Sequence, residues 1–395
     1  MVPIVNRVAG LQAEMTAWRR HLHAYPELGF EEHGTSAFVA DKLRGFGVDE
    51  VHTGMAGTGV VGVLRAGSGR RSIALRADID ALPIHEHTGL AWASTHPGRM
   101  HACGHDGHTA MLLGAARYLA ETRNFDGTVH LVFQPAEEVG GCDSGGARML
   151  AEGLFERFPS EAVYGLHNHP TPVGSFGVRP GPALASNDDF VLTLRGKGGH
   201  AARPHLGRDP LAAGCQLVAA LQNLVARELD PLDSAVVSVT RFHCGGEALN
   251  VIAGSAEIAG TIRTLRPETR ATLERRLREI ASGIEAATGV TVEVDYRRGY
   301  PPLHNHAAEA SKVAAVAAEI VGDGNVDPAT PPLMAAEDFA FMLERKPGAY
   351  VLMGIGGADE GKFVHTPIYD FNDEALPIGA SYWVRLVERS LPRSG

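Results

Sequence analysis

Thr128-Val129-His130-Leu131-Val132-Phe133 runs directly into Gln134-Pro135-Ala136-Glu137-Glu138. The apolar run reads as a strand, and it delivers two adjacent carboxylates just beyond its carboxyl end. Other segments repeat the arrangement. Strand-like runs over 59–64, 72–77 and 162–166 alternate with helical patterns over 11–24, 36–46, 109–121 and 146–154. Such alternation specifies an α/β sheet covered by helices. Sites in that architecture form beyond the carboxyl ends of strands. The acidic pair and His167, in Gly165-Leu166-His167-Asn168-His169, both lie there.

The middle of the chain has another grammar. Strand patterns over 190–194, 234–242, 256–265 and 290–296 flank two helices. The first helix starts at Asp209-Pro210, an N-cap followed by a first-turn proline, and extends to about Glu228; the second covers 268–287. The order β-α-β-β-α-β is the ferredoxin-like pattern, a small domain in itself. Proline-containing joints bracket it at Arg179-Pro180-Gly181-Pro182 and Tyr300-Pro301-Pro302, and a helical pattern resumes over 307–321. The expectation is a discontinuous α/β domain, 1–182 and 300–395, interrupted by an inserted domain, 183–299.

At 395 residues the chain exceeds what one core usually serves, so two domains are expected. A formal charge of -10 and the lack of a basic, aromatic-rich cluster argue against nucleic acid as a partner and favour small molecules. No stretch carries the roughly 20 apolar residues that cross a bilayer. With no leader-like N-terminus, a cytoplasmic location is expected. Cys103, Cys142, Cys215 and Cys244 show no repeated spacing and read as free thiols.

Candidate metal ligands are concentrated in Met100-His101-Ala102-Cys103-Gly104-His105-Asp106-Gly107-His108. Cys103 and His105, two residues apart, can converge on one ion, although such a pair alone reads equally as a buried thiol beside a hydrogen-bonded histidine. Glu137 and Glu138 diverge: one can ligate while its neighbour serves as general base. By themselves they also read as a solvated acidic turn. Asp78 and Asp80 end a strand in Leu75-Arg76-Ala77-Asp78-Ile79-Asp80-Ala81-Leu82-Pro83, where one can orient a ligating histidine or simply cap the turn. His365 lies far downstream in His365-Thr366-Pro367. Together these donors exceed the needs of one ion, and a pair of ions accounts for the excess. Zinc suits thiolate and imidazole, with manganese, cobalt and nickel as alternatives. Gly57-Thr58-Gly59-Val60-Val61-Gly62 matches a dinucleotide fingerprint formally but leads into a strand, so no helix N-terminus awaits a pyrophosphate. In the inserted region His200 stands in the glycine-rich turn Gly198-Gly199-His200-Ala201-Ala202-Arg203-Pro204-His205. Arg263 offers a guanidinium able to clamp a carboxylate, and Asn250 is a further polar candidate.

These blocks, with Arg20-His21-Leu22-His23-Ala24-Tyr25-Pro26-Glu27-Leu28 and Ala336-Glu337-Asp338-Phe339, resemble the M20 metallopeptidase family, nearly end to end and in order. The similarity is to its amidohydrolase branch of hippurate hydrolases, N-acyl-amino-acid hydrolases and auxin-conjugate hydrolases. The resemblance implies that Cys103, His105, Glu138, His167 and His365 bind two divalent ions, with Cys103 bridging, and that Glu137 is the general base. It implies that the inserted domain is a lid carrying a homodimer contact. His200, Asn250 and Arg263 would face the substrate from it, with Asp78 behind the metal ligands. The expected reaction is hydrolysis of an N-acyl amino acid. A carboxypeptidase or dipeptidase acting on short peptides, or a metal-dependent binding protein without turnover, are the alternatives. Val139-Gly140-Gly141-Cys142-Asp143-Ser144 is longer than the glycine turn usual after the acidic pair, which bears on pocket shape.

Overall fold

A computed structural model describes residues 6–393, which form two compact units. The first runs to Gly181 and takes in His304–Pro331 and the chain from Asp338; the second is Pro182–Leu303 with Pro332–Glu337. In chain order the main strands of the first unit are β1 (Glu50–Met55), β2 (Gly59–Ala66), β3 (Ser72–Asp78), β4 (Gly127–Gln134), β5 (Ala162–His169) and β6 (Phe176–Gly177). The second unit contributes β7 (Asp188–Arg195), β8 (Ala235–Cys244), β9 (Ser255–Thr264) and β10 (Thr291–Arg298), and the first resumes with β11 (Val326–Asp327) and β12 (Gly348–Gly354).

The first unit is α/β, as the alternating pattern requires, around a mixed sheet ordered β1-β2-β4-β3-β5-β12-β6-β11. Its four middle strands, β4, β3, β5 and β12, are mutually parallel. Register aligns Asp78 with Gln134 and Leu352 with His167, so the strand ends that carry chemistry lie along one edge. β4 is almost wholly buried, consistent with helices over both faces. The helix His105–Thr122 is buried continuously from Ala110 through Ala116, between Gln12–Ala24 and Leu376–Ser390. Two glycines permit this approach: a Cβ at Gly114 would lie 2.2 Å from Met15 Sδ, and one at Gly379 would lie 2.1 Å from Met111 Sδ.

Three elements carry no clear sequence pattern. β1 is an edge strand with mostly exposed or half-buried residues, β12 is a short run bounded by glycines, and Leu376–Ser390 is buried along most of its length rather than on one stripe. The helix expected to reach Glu228 keeps α geometry from Pro210 to Asn223 and then widens into a π turn, Leu224–Glu228. Its Asp209 cap forms as expected, the carboxylate accepting from Leu211 N at 2.9 Å. Among the described residues no helix is long and apolar enough to cross a membrane.

In the second unit the antiparallel sheet is ordered β8-β9-β7-β10. Alternate residues Phe190, Leu192 and Leu194 of β7 enter a core shared with Leu217 and Leu221 of one helix and Leu273 and Leu277 of the other. Both helices therefore cover one face. Residues 332–337, placed in the 300–395 segment by the sequence reading, belong to this unit instead. The reason is backbone pairing: Ala185 N donates to Leu333 O and Ala335 O, and Leu333 N donates to Ala183 O.

A buried ion pair braces this unit. Asp188, fully buried, accepts from Arg270 Nε at 2.9 Å, Tyr296 Oη at 2.7 Å and Gly299 N at 3.1 Å. Removing one partner strands the other charge in a dry interior. Asp188→Ala is expected to cost about 3–5 kcal/mol in denaturant unfolding. A loss below about 1 kcal/mol, the scale of an exposed pair, would show that Arg270 finds water instead.

Candidate metal centre

Gly104 ends the extended approach to the helix His105–Thr122 with φ 91°, in the left-handed region. Only glycine fits: a Cβ would lie 2.2 Å from Asn168 Oδ1 and 2.5 Å from Tyr369 Oη. This turn starts the helix at His105, four residues before the apolar pattern indicated, and puts His105 on its first turn. Cys103 precedes the turn, and its Sγ lies 3.3 Å from Nε2 of His167 on β5. From the C-terminal segment His365 arrives at φ 63°, its amide donating to Ala102 O, and its Nε2 lies 3.1 Å from Glu138 Oε1. Glu137 and Glu138 follow Ala136, which also has positive φ, 51°.

Donor atoms of Cys103, His105 and His167 lie within 4.8 Å of one another, as do those of Cys103, Glu138 and His365. The two groups share the Cys103 thiol. Donor atoms of His105, Glu137 and Glu138 form a third such group. All five residues expected as ligands, and Glu137, are thus brought together from four segments.

The surroundings fit a cation. His105 Nδ1 lies 2.9 Å from Asp80 O and 3.2 Å from Asp80 Oδ1, while His167 Nδ1 lies 2.7 Å from Asn168 O. Each Nδ1–H is therefore used, leaving the Nε2 lone pair for a metal. His105 Nε2 is buried without a hydrogen-bond partner, 4.0 Å from Glu138 Oε1. Burial opposes a charged His105, yet Asp78, Asp80 and Glu138 raise its pKa to about 10. Burial pushes the Cys103 thiol well up, and the Glu138, Glu137 and Asp78 carboxylates add to the effect. Burial and the neighbouring His108 instead hold His167 well below its usual range, as a neutral imidazole. A divalent ion held here would supply the positive charge that this field lacks and would favour Cys103 as a thiolate.

The carboxylates behind the donors divide their duties differently from the sequence expectation. Asp80, rather than Asp78, holds His105 Nδ1, and its other oxygen accepts from Glu138 N at 2.9 Å. Asp78 binds His108 Nδ1 at 2.5 Å and Arg76 Nη1 at 2.7 Å; its Oδ2 is 3.7 Å from His105 Nε2. The reason is position: Asp78 is the last residue of β3 and faces its neighbours, whereas Asp80 has left the sheet. Arg76 also donates to Gln134 Oε1 and Asp338 Oδ1, both at 3.0 Å. Asp338 accepts in addition from Gln134 Nε2 and Gly146 N. Asp338 and Gln134 stand in recognisable sequence blocks, but nothing local marks their task, because each has partners far away in the chain. Glu32 was not singled out either. It is fully buried, accepting from Thr58 Oγ1 at 2.6 Å and Ala136 N at 2.8 Å.

His200, Asn250 and Arg263 belong to the second unit. The structure brings the first two together: Gly199–His200 pairs with Val251–Ile252, and Ala201 N donates to Asn250 O. His200 is exposed, its Nδ1 accepting from Ala202 N. Arg263 stands apart on β9, opposite Val236, with no side-chain hydrogen bond or ion pair among the described residues. Cys142, Cys215 and Cys244 are free, as is Cys103.

Residues 74–389 match Peptidase family M20/M25/M40. The chain belongs to that family. It is 40% identical to hippurate hydrolase of Campylobacter jejuni over 98% of this chain and 99% of that one. It is 42% identical to N-acetyl-L-cysteine deacetylase of Bacillus subtilis over 95% and 87%, respectively. The structure of the Bacillus subtilis YXEP protein, described as a dinuclear metal-binding peptidase from the M20 family, superposes with a TM-score of 0.84. It shares 34% identity and covers 97% of this chain and 99% of that one. These matches establish this M20 chain as a hydrolase.

Burial raises the Glu32 carboxyl to about 7 against the lowering pull of Thr58, with Asp80 adding to the rise. A carboxyl raised on folding favours the native state below its ordinary value of 4.5, and that advantage is lost as pH climbs through about 7. Glutamine cannot titrate. In metal-stripped protein, Glu32→Gln is expected to flatten the decline in unfolding free energy between about pH 4.5 and 7. An unchanged slope would place Glu32 in the ordinary carboxylate range.

Proposed function

We propose that this protein hydrolyses the amide bond of N-acyl amino acids, releasing a carboxylic acid and a free amino acid. The observation that carries the reading is the pair of donor triads sharing Cys103, with Glu137 on the adjoining elbow. Hippurate hydrolase and N-acetyl-L-cysteine deacetylase, the relatives named above, both have N-acyl amino acids as their namesakes. The proposed ligands are Cys103, His105, Glu138, His167 and His365, for two divalent ions with Cys103 between them. Zinc suits the thiolate and imidazoles best, and manganese, cobalt or nickel are the alternatives to test.

When bound, the ions supply Lewis acidity and lower the pKa of water from about 15.7 toward about 7. Glu137 takes the proton of the attacking water and passes it to the departing nitrogen, so one carboxylate serves first as base and then as acid. Asp80 steadies this arrangement by gripping His105 and the Glu138 amide together. His200 is proposed to donate to the developing oxyanion. Asn250 and Arg263 are proposed to hold the substrate carboxylate, and an unpaired Arg263 guanidinium suits that task. We also propose that the second unit acts as a lid and carries a homodimer contact, as the family resemblance implies.

Glu137→Ala is expected to retain its metal while turnover falls by about 10²–10⁴-fold. The assay is release of free amino acid from N-acetyl, N-benzoyl and indoleacetyl amino acids, alongside dipeptides with free amines, before chelation and after each metal is restored. Near-normal turnover in Glu137→Ala would overturn its role as base. Release from dipeptides alone would move the activity to peptide hydrolysis.

A further inference from the structure

Ala136, immediately before the acidic pair, holds φ 51°. A non-glycine residue in the left-handed region is strained and persists only where its surroundings over-determine it. Three hydrogen bonds do so here. Ala136 N donates to Glu32 Oε1 at 2.8 Å, Gly145 N donates to Ala136 O at 3.0 Å, and Glu138 N donates to Asp80 Oδ2 at 2.9 Å. We infer that Glu32 is a positioning residue for this elbow: by gripping the Ala136 amide from beneath, it fixes the direction in which Glu137 presents its carboxylate. The inference rests on the proposed role of Glu137 as base.

Simpler duties for Glu32 do not match its contacts. It stands at the N-cap of the helix His33–Gly45, but its side chain makes no capping hydrogen bond there. Nor does it form an ion pair among the described residues; its carboxylate is held by neutral donors, Thr58 Oγ1, Ala136 N and its own amide. The platform around it is stiff. Thr58 follows a turn whose Ala56 and Gly57 both have positive φ. On the other side Gly29 presses so closely that an added Cβ would meet Val139 Cγ2 at 2.5 Å and Ala136 Cβ at 3.1 Å. A buried carboxylate directed away from its own helix and onto one strained amide is spent on aiming that amide.

The test compares Glu32→Ala, Glu32→Gln and Thr58→Val in the metal-loaded full chain, measuring kcat, KM and bound metal per chain. A displacement of about 1 Å at a reacting group costs on the order of 100-fold in rate, so Glu32→Ala is expected to lower kcat at least about tenfold. KM should stay within about twofold and metal content unchanged, because no proposed ligand is touched. Gln restores most of kcat, since its amide oxygen can accept from Ala136 N while its N–H₂ donates to Thr58 Oγ1. Thr58→Val frees one carboxylate oxygen and lowers kcat less, in the same direction; it carries the test if Glu32→Ala does not fold. Wild-type kcat in Glu32→Ala, equal loss in the Ala and Gln variants, or lost metal would each overturn the inference; if Glu32→Ala does not fold, wild-type kcat in Thr58→Val would do so. Inactive Glu137→Ala beside fully active Glu32→Ala would defeat this inference alone, whereas active Glu137→Ala would defeat the base assignment on which it rests.

Discussion

Everything near the site answers to one constraint: carboxylates are buried in quantity along one edge of the sheet. Glu32, Asp78, Asp106 and Asp338 are fully buried, and Asp80 and Glu137 nearly so. Each such charge costs several kcal/mol unless it is paired. The fold supplies cations for part of the set. Arg76 lies between Asp78 and Asp338, while Asp106 accepts from His23 at 2.9 Å and has Arg19 at 3.6 Å. Toward the donor cluster the compensation falls to imidazoles, and the raised pKa of His105 measures the deficit. The proposed metal pair would resolve that deficit.

The constraint explains the backbone as well. Charged groups from distant segments converge only if the chain turns sharply where each arrives. Gly104, Ala136 and His365 all hold positive φ beside a proposed ligand or the proposed base. At Gly104 the left-handed turn is relieved by the absence of a side chain. At Ala136 and His365 it is held by hydrogen bonds: Glu32 and Gly145 on the first, and the Ala102 carbonyl on the second. Strain placed this way is stored where geometry matters and is balanced by packing elsewhere.

How much of this was legible in the sequence depends on the range of the signal. The β-α-β-β-α-β order is local patterning, and alternation along β7 shows which face is buried. The donor set was legible because Cys103, His105, Glu138 and His167 follow recognisable runs within blocks of nearby residues. The supporting network was not. Arg76 and Asp338 are 262 residues apart and Glu32 and Ala136 are 104 apart, and neither pair leaves a periodic trace. Asp78 and Asp80 could not be told apart for a subtler reason. Both face a histidine, and only the exact point at which β3 ends decides that Asp80 takes His105 while Asp78 takes His108.

Packing also separates chemistry from recognition. Cys103, His105 and Glu137 are buried and their neighbours are hydrogen-bonded in turn, the condition under which a reacting geometry is preorganised. His200 is exposed in a two-residue ribbon, Asn250 is exposed in the turn beside it, and Arg263 carries no partner that fixes its guanidinium. In the proposed function, residues held so loosely would accommodate different amino-acid portions without disturbing the donors. The 139–144 loop follows the same logic: half of its residues are exposed, yet it springs directly from the elbow that carries Glu137. Changes there would bear on pocket shape, and the proposed Glu32 grip on Ala136 would shield the alignment of Glu137 from them.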